Sequence, residues 1–241
     1  MHPRRILPVL AIALATGYAG LAQAAAPACA PPADLKAFPF APPPPEEITS
    51  GVRIATYLLS LNWTPEWCRT NGEGITAQHM ECGHPFGFTL HGLWPNGIGK
   101  PYPRYCTPVG QLKLATVRRM YCRTPSPELL QHEWQAHGGC GWSDPDRFFA
   151  VGARLYDRIV MPKIERIAPD MLTAGAVRAA FVARNPWLSA SMVYVQTDRS
   201  QRLTEVRICY DLRFRPMACL GGNGTPDPVK LTLTPSLTRA F

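Results

Sequence analysis

Two short segments of the chain gather side chains suited to moving protons. The first is Phe88-Thr89-Leu90-His91-Gly92-Leu93-Trp94-Pro95, and the second is His132-Glu133-Trp134-Gln135-Ala136-His137-Gly138-Gly139-Cys140. Imidazole has an ordinary pKa close to neutrality, so it can take a proton in one step and return it in the next. The chain has 6 histidines, one of them His2 at the extreme N-terminus, and the two segments hold His91, His132 and His137. Histidines concentrated in this way, with the carboxylate Glu133 among them, read as an enzyme that uses them together.

Other chemistry has to be weighed against this reading. A zinc-protease helix needs H-E-x-x-H so that both imidazoles face one metal. Here the spacing is H-E-x-x-x-H, which turns the two histidines about 140° apart around a helix and makes a shared metal awkward. Glu133 and His137, four apart, share a face instead. Histidines buried only for structure are the other alternative, but two of them with a carboxylate in six residues argue against it. In the first segment, strand alternation puts Phe88 and Leu90 on one face and Thr89 and His91 on the other. His91 then ends a strand, and Trp94 either packs in the core or stacks on a nucleobase.

The elements that must hold these residues follow from periodicity and punctuation. Residues 53–62 form an apolar run of strand length, and 86–91 a second strand closed by Gly92 and Pro95. Between them 68–82 reads as a loop, and the Pro- and Gly-rich stretch 96–107 as irregular structure. A helix is predicted over 128–137, stopped by Gly138-Gly139. Asp144-Pro145-Asp146 caps a longer one over 147–167, and a third covers 173–184. Strands are expected at 192–197 and 203–210, with a short last one at 229–233. The pattern is that of an α+β protein: an antiparallel β-sheet packed with several helices, in one domain over 51–241.

Composition sets the compartment. Apolar residues make up 46% of the chain, enough for a real core. Residues 1–26 read as a signal peptide, with a basic Arg4-Arg5 start, an apolar stretch and small residues up to Ala24 and Ala26. Residues 27–50, with Pro42-Pro43-Pro44-Pro45, read as an extended Pro-rich lead. The 8 cysteines all follow the signal and include no C-x-x-C pair, so four disulfides are expected rather than a metal site, with roughly 105 pairings open. The net charge of +8, carried mostly by arginine, suits a polyanionic partner such as nucleic acid.

F-T-L-H-G-L-W-P together with H-E-W-x-x-H-G-x-C resembles the two active-site signatures of the ribonuclease T2 family of secreted acid ribonucleases. The likeness extends over roughly residues 52–233, including Ile208-Cys209-Tyr210-Asp211. It implies cleavage of single-stranded RNA without metal or other cofactor, by attack of the ribose 2′-hydroxyl to give a 2′,3′-cyclic phosphate and then a 3′-phosphate. By the resemblance His137 is the base and His91 the acid, labels that exchange with the direction of reaction. His132 binds phosphate, Glu133 assists at the transition state or orients His137, and Trp94, Asn96 and Tyr102 form the base site. The implied disulfides are Cys68–Cys82, Cys106–Cys140 and Cys209–Cys219, leaving Cys29 and Cys122 for a fourth. The resemblance gives RNA as the partner; the signal-like segment and the cysteines lead to the expectation of an exported protein, periplasmic or extracellular, with no stable membrane association after signal cleavage, and a monomer is expected. Two positions depart from the family pattern. Ala136 stands where lysine is usual and Gly139 where Thr or Ser is. An arginine from elsewhere either replaces that lysine, or the protein is a catalytically weakened RNA-binding or toxin-like relative.

Overall fold

A central strand with neighbours on both sides organises the molecule. The computed structural model describes residues 29–72 and 80–236, so the signal-like segment 1–26 and part of the loop at 68–82 lie outside the described residues. Its principal elements are β1 (Thr56–Trp63), α1 (Thr64–Asn71), β2 (Phe88–Asn96), α2 (Leu114–Met120), α3 (Pro127–Ala136), α4 (Pro145–Asp157), α5 (Ala174–Arg184), β3 (Val193–Thr197) and β4 (Leu203–Tyr210). The strands form one antiparallel sheet in the order β2-β1-β4-β3. With its helices, this is an α+β fold.

Alternation divides the sheet into two working faces. Leu59, Leu61 and Trp63 of β1, Leu90 and Leu93 of β2, and Val206 and Ile208 of β4 join Phe148 of α4 and Phe181 of α5 in the core. Fully burying side chains of this size is worth about 1.5–3 kcal/mol each. Leu58, Tyr194 and Arg207 project from the other face into a cleft. α3 runs along the β2 edge. Its Trp134 and Leu130 are buried in the core, while His132 and Glu133 reach the cleft.

Several elements differ from the sequence-based expectation, each for a local reason. The strand expected to close at Gly92 and Pro95 continues to Asn96. β2 is an edge strand, where a proline is tolerated because its missing N–H is not needed by a neighbour on that side. The expected loop at 68–82 is instead entered by α1, for which Pro65 and Glu66 are start signals in the first turn. The helix predicted over 147–167 ends at Asp157, and Pro162 follows where continued helix would lose a bond and clash. Residues 229–233 form single bridges, from Lys230 to Thr173 and from Thr232 to Arg202, rather than a strand. α2 was not foreseen. α3 and α5 are capped as their sequences indicate, by Ser126 accepting from Leu129 N and by Thr173 accepting from Ala176 N.

The Pro-rich lead is laid over the body. Leu35 is buried, Arg118 donates to the Ala33 carbonyl at 3.0 Å, and Gln135 on α3 donates to the Ala41 carbonyl at 2.7 Å. Farther on, Thr49 pairs antiparallel with Arg104. Four disulfides join Cys29 to Cys122, Cys68 to Cys82, Cys106 to Cys140 and Cys209 to Cys219.

Candidate active site

His91 reaches the cleft through an irregularity in its strand. Ser60 pairs with Gly92 and Leu61 with Leu90, so His91 is the extra residue of a β-bulge. On a regular strand, residues 91 and 94 would point to opposite faces. The bulge puts both side chains on the cleft side, with ring centroids 4.9 Å apart. The same site needs glycine at 92: a Cβ there would fall 1.7 Å from Glu133 Oε2. The missing side chain is what lets the α3 carboxylate lie against the strand.

Glu133 is thereby placed between the two signatures. Its Oε2 accepts from Trp94 Nε1 at 2.9 Å, and its Oε1 lies 3.4 Å from His91 Nε2. His137 ends α3, its N–H bonded to the Glu133 carbonyl, and its ring lies 5.5 Å from that of Trp94. His132 Nδ1 is 3.5 Å from the Tyr105 hydroxyl. All of His91, His132, Glu133 and His137, together with Trp94, Asn96 and Tyr102, line one cleft of about 440 Å³. Tyr102 is exposed at its mouth, whereas the Trp94 ring is held by His91, His137 and the Arg207 guanidinium, 4.8 Å from its centroid.

The environment drives the two signature histidines in opposite directions. Burial alone would depress the His91 imidazolium, but Glu205 Oε1 at 2.6 Å from Nδ1, with Glu133 nearby, outweighs it and raises the pKa. Asn62 Oδ1 also faces this nitrogen, at 2.9 Å. These acceptors fix a proton on Nδ1 and leave Nε2 to exchange the other. His137 has no such partner. Its buried Nδ1 makes no hydrogen bond, and burial, then the charges of His132, His91 and Arg104, push its pKa well below the usual value. His132 is lowered for similar reasons: burial first, then Arg104 and His91. Burial raises Glu133 to about 7 against the opposing pull of His91 and the Trp94 N–H. Glu205 is held at about 2, burial being overcome by His91 and by Arg207, whose Nε and Nη2 reach Oε2 at 2.9 and 2.6 Å.

Glu205, Asn62, Arg207, Arg104 and Tyr105 were not singled out from sequence. One signal was available: in β4 Glu205 and Arg207 alternate with the apolar Val206 and Ile208, which marks a charged pair on one face of a buried strand. The disulfide Cys106–Cys140 bridges the loop after β2 to the short helical turn Gly138–Cys140, and beside it Tyr105 N–H donates to the Ala136 carbonyl at 2.9 Å. Among the described residues no group of three or more His, Cys, Asp or Glu side chains could hold a metal ion.

Residues 54–219 match the sequence model of the Ribonuclease T2 family. The chain belongs to this family. It is 27% identical over 175 residues to a probable ribonuclease of Haemophilus influenzae, an alignment covering 68% of this chain and 60% of the relative. It is 37% identical over 99 residues to a ribonuclease of Aeromonas hydrophila, covering 41% and 43%. The chain thus spans less than two thirds of the length of either relative. Among solved structures, RNase NT in complex with 5′-AMP superposes with a TM-score of 0.55 at 18% identity, covering 77% of this chain and all of that one. That likeness extends the ribonuclease T2 assignment to the fold.

Proposed function

We propose that the protein is an exported endoribonuclease that cleaves single-stranded RNA by transesterification, without a metal ion. The observation that carries this reading is geometric: His91, its Nδ1 facing Glu205 and Asn62, and His137, its buried Nδ1 without a partner, line one cleft with the buried carboxylate of Glu133. Neutral His137 is the base that takes the proton from the ribose 2′-hydroxyl, and the 2′-oxygen attacks the adjacent phosphorus. Protonated His91 gives its Nε2 proton to the departing 5′-oxygen, so the phosphodiester bond to the next nucleotide breaks as the 2′,3′-cyclic phosphate forms. With the proton loads exchanged, the pair then adds water to the cyclic ester to leave a 3′-phosphate.

Glu133 fits a role between them. With a pKa near 7 it is largely uncharged in acid solution, where its carboxyl donates a hydrogen bond to a phosphoryl oxygen instead of repelling it. His132, beside Tyr105, contacts the phosphate, and Asn96 and Tyr102 with Trp94 border the base. The 5′-AMP complex of RNase NT supports a nucleotide in such a cleft. The signal-like N-terminus and four disulfides support export to an oxidising compartment, periplasmic or extracellular.

Incubation of the oxidised protein with RNA in EDTA, from acid to neutral pH, tests this. The expected products end in 2′,3′-cyclic phosphate, and His91→Ala lowers kcat by ~10²–10⁴. Cleavage abolished by EDTA, or retained in full by His91→Ala, would overturn it.

A further inference from the structure

We propose that Arg104 is the cation that binds the scissile phosphate, held ready by Glu47 of the N-terminal lead. This rests on the ribonuclease reading above. The phosphorane formed in that reaction carries charge on its equatorial oxygens, and a fixed positive group aimed at them is among the largest contributions an active site can make. Position 136, between Glu133 and His137, supplies no such group: Ala136 has no exposed surface.

Two arginines line the cleft, Arg104 and Arg207. Arg207 is committed elsewhere. Its Nε and Nη2 both bond to Glu205 Oε2, and its guanidinium lies between the rings of Trp94 and Tyr194, at 4.8 and 5.3 Å from their centroids. Its charge acts on His91 and Glu205, on the acid side of the cleft.

Arg104 is held more loosely: its guanidinium lies 5.0 Å from the Tyr105 ring centroid and its Nη2 donates to the Tyr105 hydroxyl at 3.4 Å, with Glu47 as its carboxylate partner. The next residue, Tyr105, is bonded by its N–H to the Ala136 carbonyl, and Cys106 is tied to Cys140, so the loop that carries Arg104 is anchored to the end of α3 at the covered alanine. Its charge acts on His132, Glu133 and His137, the three chemical groups of the second signature. Its Nε is buried and makes no hydrogen bond. Its Nη2 lies 3.1 Å from Glu47 Oε2, both side chains being 38% exposed. An exposed pair of this kind is weak, so a phosphate can displace Glu47 and engage the planar fork in two bonds. The backbone bonds between Thr49 and Arg104, at 2.8 and 3.0 Å, fix the loop from the lead side. The lead is therefore part of the active site.

The test uses the full oxidised protein, with inorganic phosphate as probe in calorimetry and RNA as substrate. Arg104→Ala is expected to weaken phosphate binding about tenfold or more and to lower kcat by ~10²–10³. Arg104→Lys should recover part of both, and added methylguanidinium should restore activity to Arg104→Ala. Unchanged phosphate affinity and kcat in Arg104→Ala would overturn the proposal. So would a loss that neither Arg104→Lys nor methylguanidinium reverses, or a wild-type protein that binds no phosphate. If the wild type binds phosphate through Arg104 yet cleaves no RNA, the ribonuclease reading fails and the anion site stands.

Discussion

His91 and His137 are the same side chain in two different surroundings. His91 sits on the sheet, its Nδ1 facing Glu205 and Asn62 from two neighbouring strands, with Glu133 on its other nitrogen. His137 caps the C-terminal end of α3, its Nδ1 buried without a partner and the charges of His132, His91 and Arg104 acting against its protonation. Glu205 on the sheet and Glu133 on α3 overcome burial and stabilise the His91 imidazolium; at His137 burial and positive neighbours act together and stabilise the free base. In the proposed mechanism these two environments make an acid and a base from one residue type, the general route by which a site runs both halves of a proton transfer.

The strongest way to break this arrangement is to push its two halves apart. In Gly92→Ala the added methyl would collide with the Glu133 carboxylate and lie 3.0 Å from Trp94 Nε1. The expected result is a fall in kcat of ~10²–10³ as the carboxyl leaves the cleft, seen in steady-state RNA cleavage together with altered tryptophan fluorescence. A second substitution addresses the helix side. If the site simply lacked a lysine, Ala136→Lys would activate it. Position 136 is wholly enclosed, so a buried ammonium there should instead cost about 3 kcal/mol of stability and bring no gain in kcat, as thermal unfolding and kinetics would show.

Glu205→Gln sharpens the comparison with a smaller effect. Glu205 raises the pKa of His91, so its loss lowers that pKa, and the alkaline limb of the pH–kcat profile, where His91 gives up its proton, moves to lower pH. The stability cost has a matching sign. A raised imidazole contributes stability below its unfolded pKa and loses it as pH rises through the folded one, while the Glu205 carboxylate gives up its own contribution as pH falls toward about 2. The variant should therefore be hurt more in mild acid, between about pH 4.5 and 6.5, than above neutrality. A limb that stays in place would remove Glu205 from the account.

How much of this was legible in the sequence depended on the range of the interactions. The α3 start at Ser126-Pro127, the Thr173 cap and the strand Leu203–Tyr210 are written in neighbouring residues, and so are the two signatures. The bulge that turns His91 and Trp94 to one side depends on how β1 pairs with β2, which no local pattern encodes. Glu205 lies 114 residues from the histidine it governs, and only its alternation with Val206 pointed to a special role. The early end of α4 was readable from Pro162 but was masked by the apolar period running through it. The contact between the lead and Arg104 is not legible in the sequence because Glu47 and Arg104 lie far apart along the chain and meet only in the folded protein.

The most direct measurement is an NMR titration of the His91 and His137 imidazoles in the free protein. The account predicts that His91 titrates above the ordinary value of 6.5 and His137 well below it, leaving a pH interval in which one is charged and the other neutral. Titration of the two together, or His137 holding its proton to higher pH than His91, would contradict it.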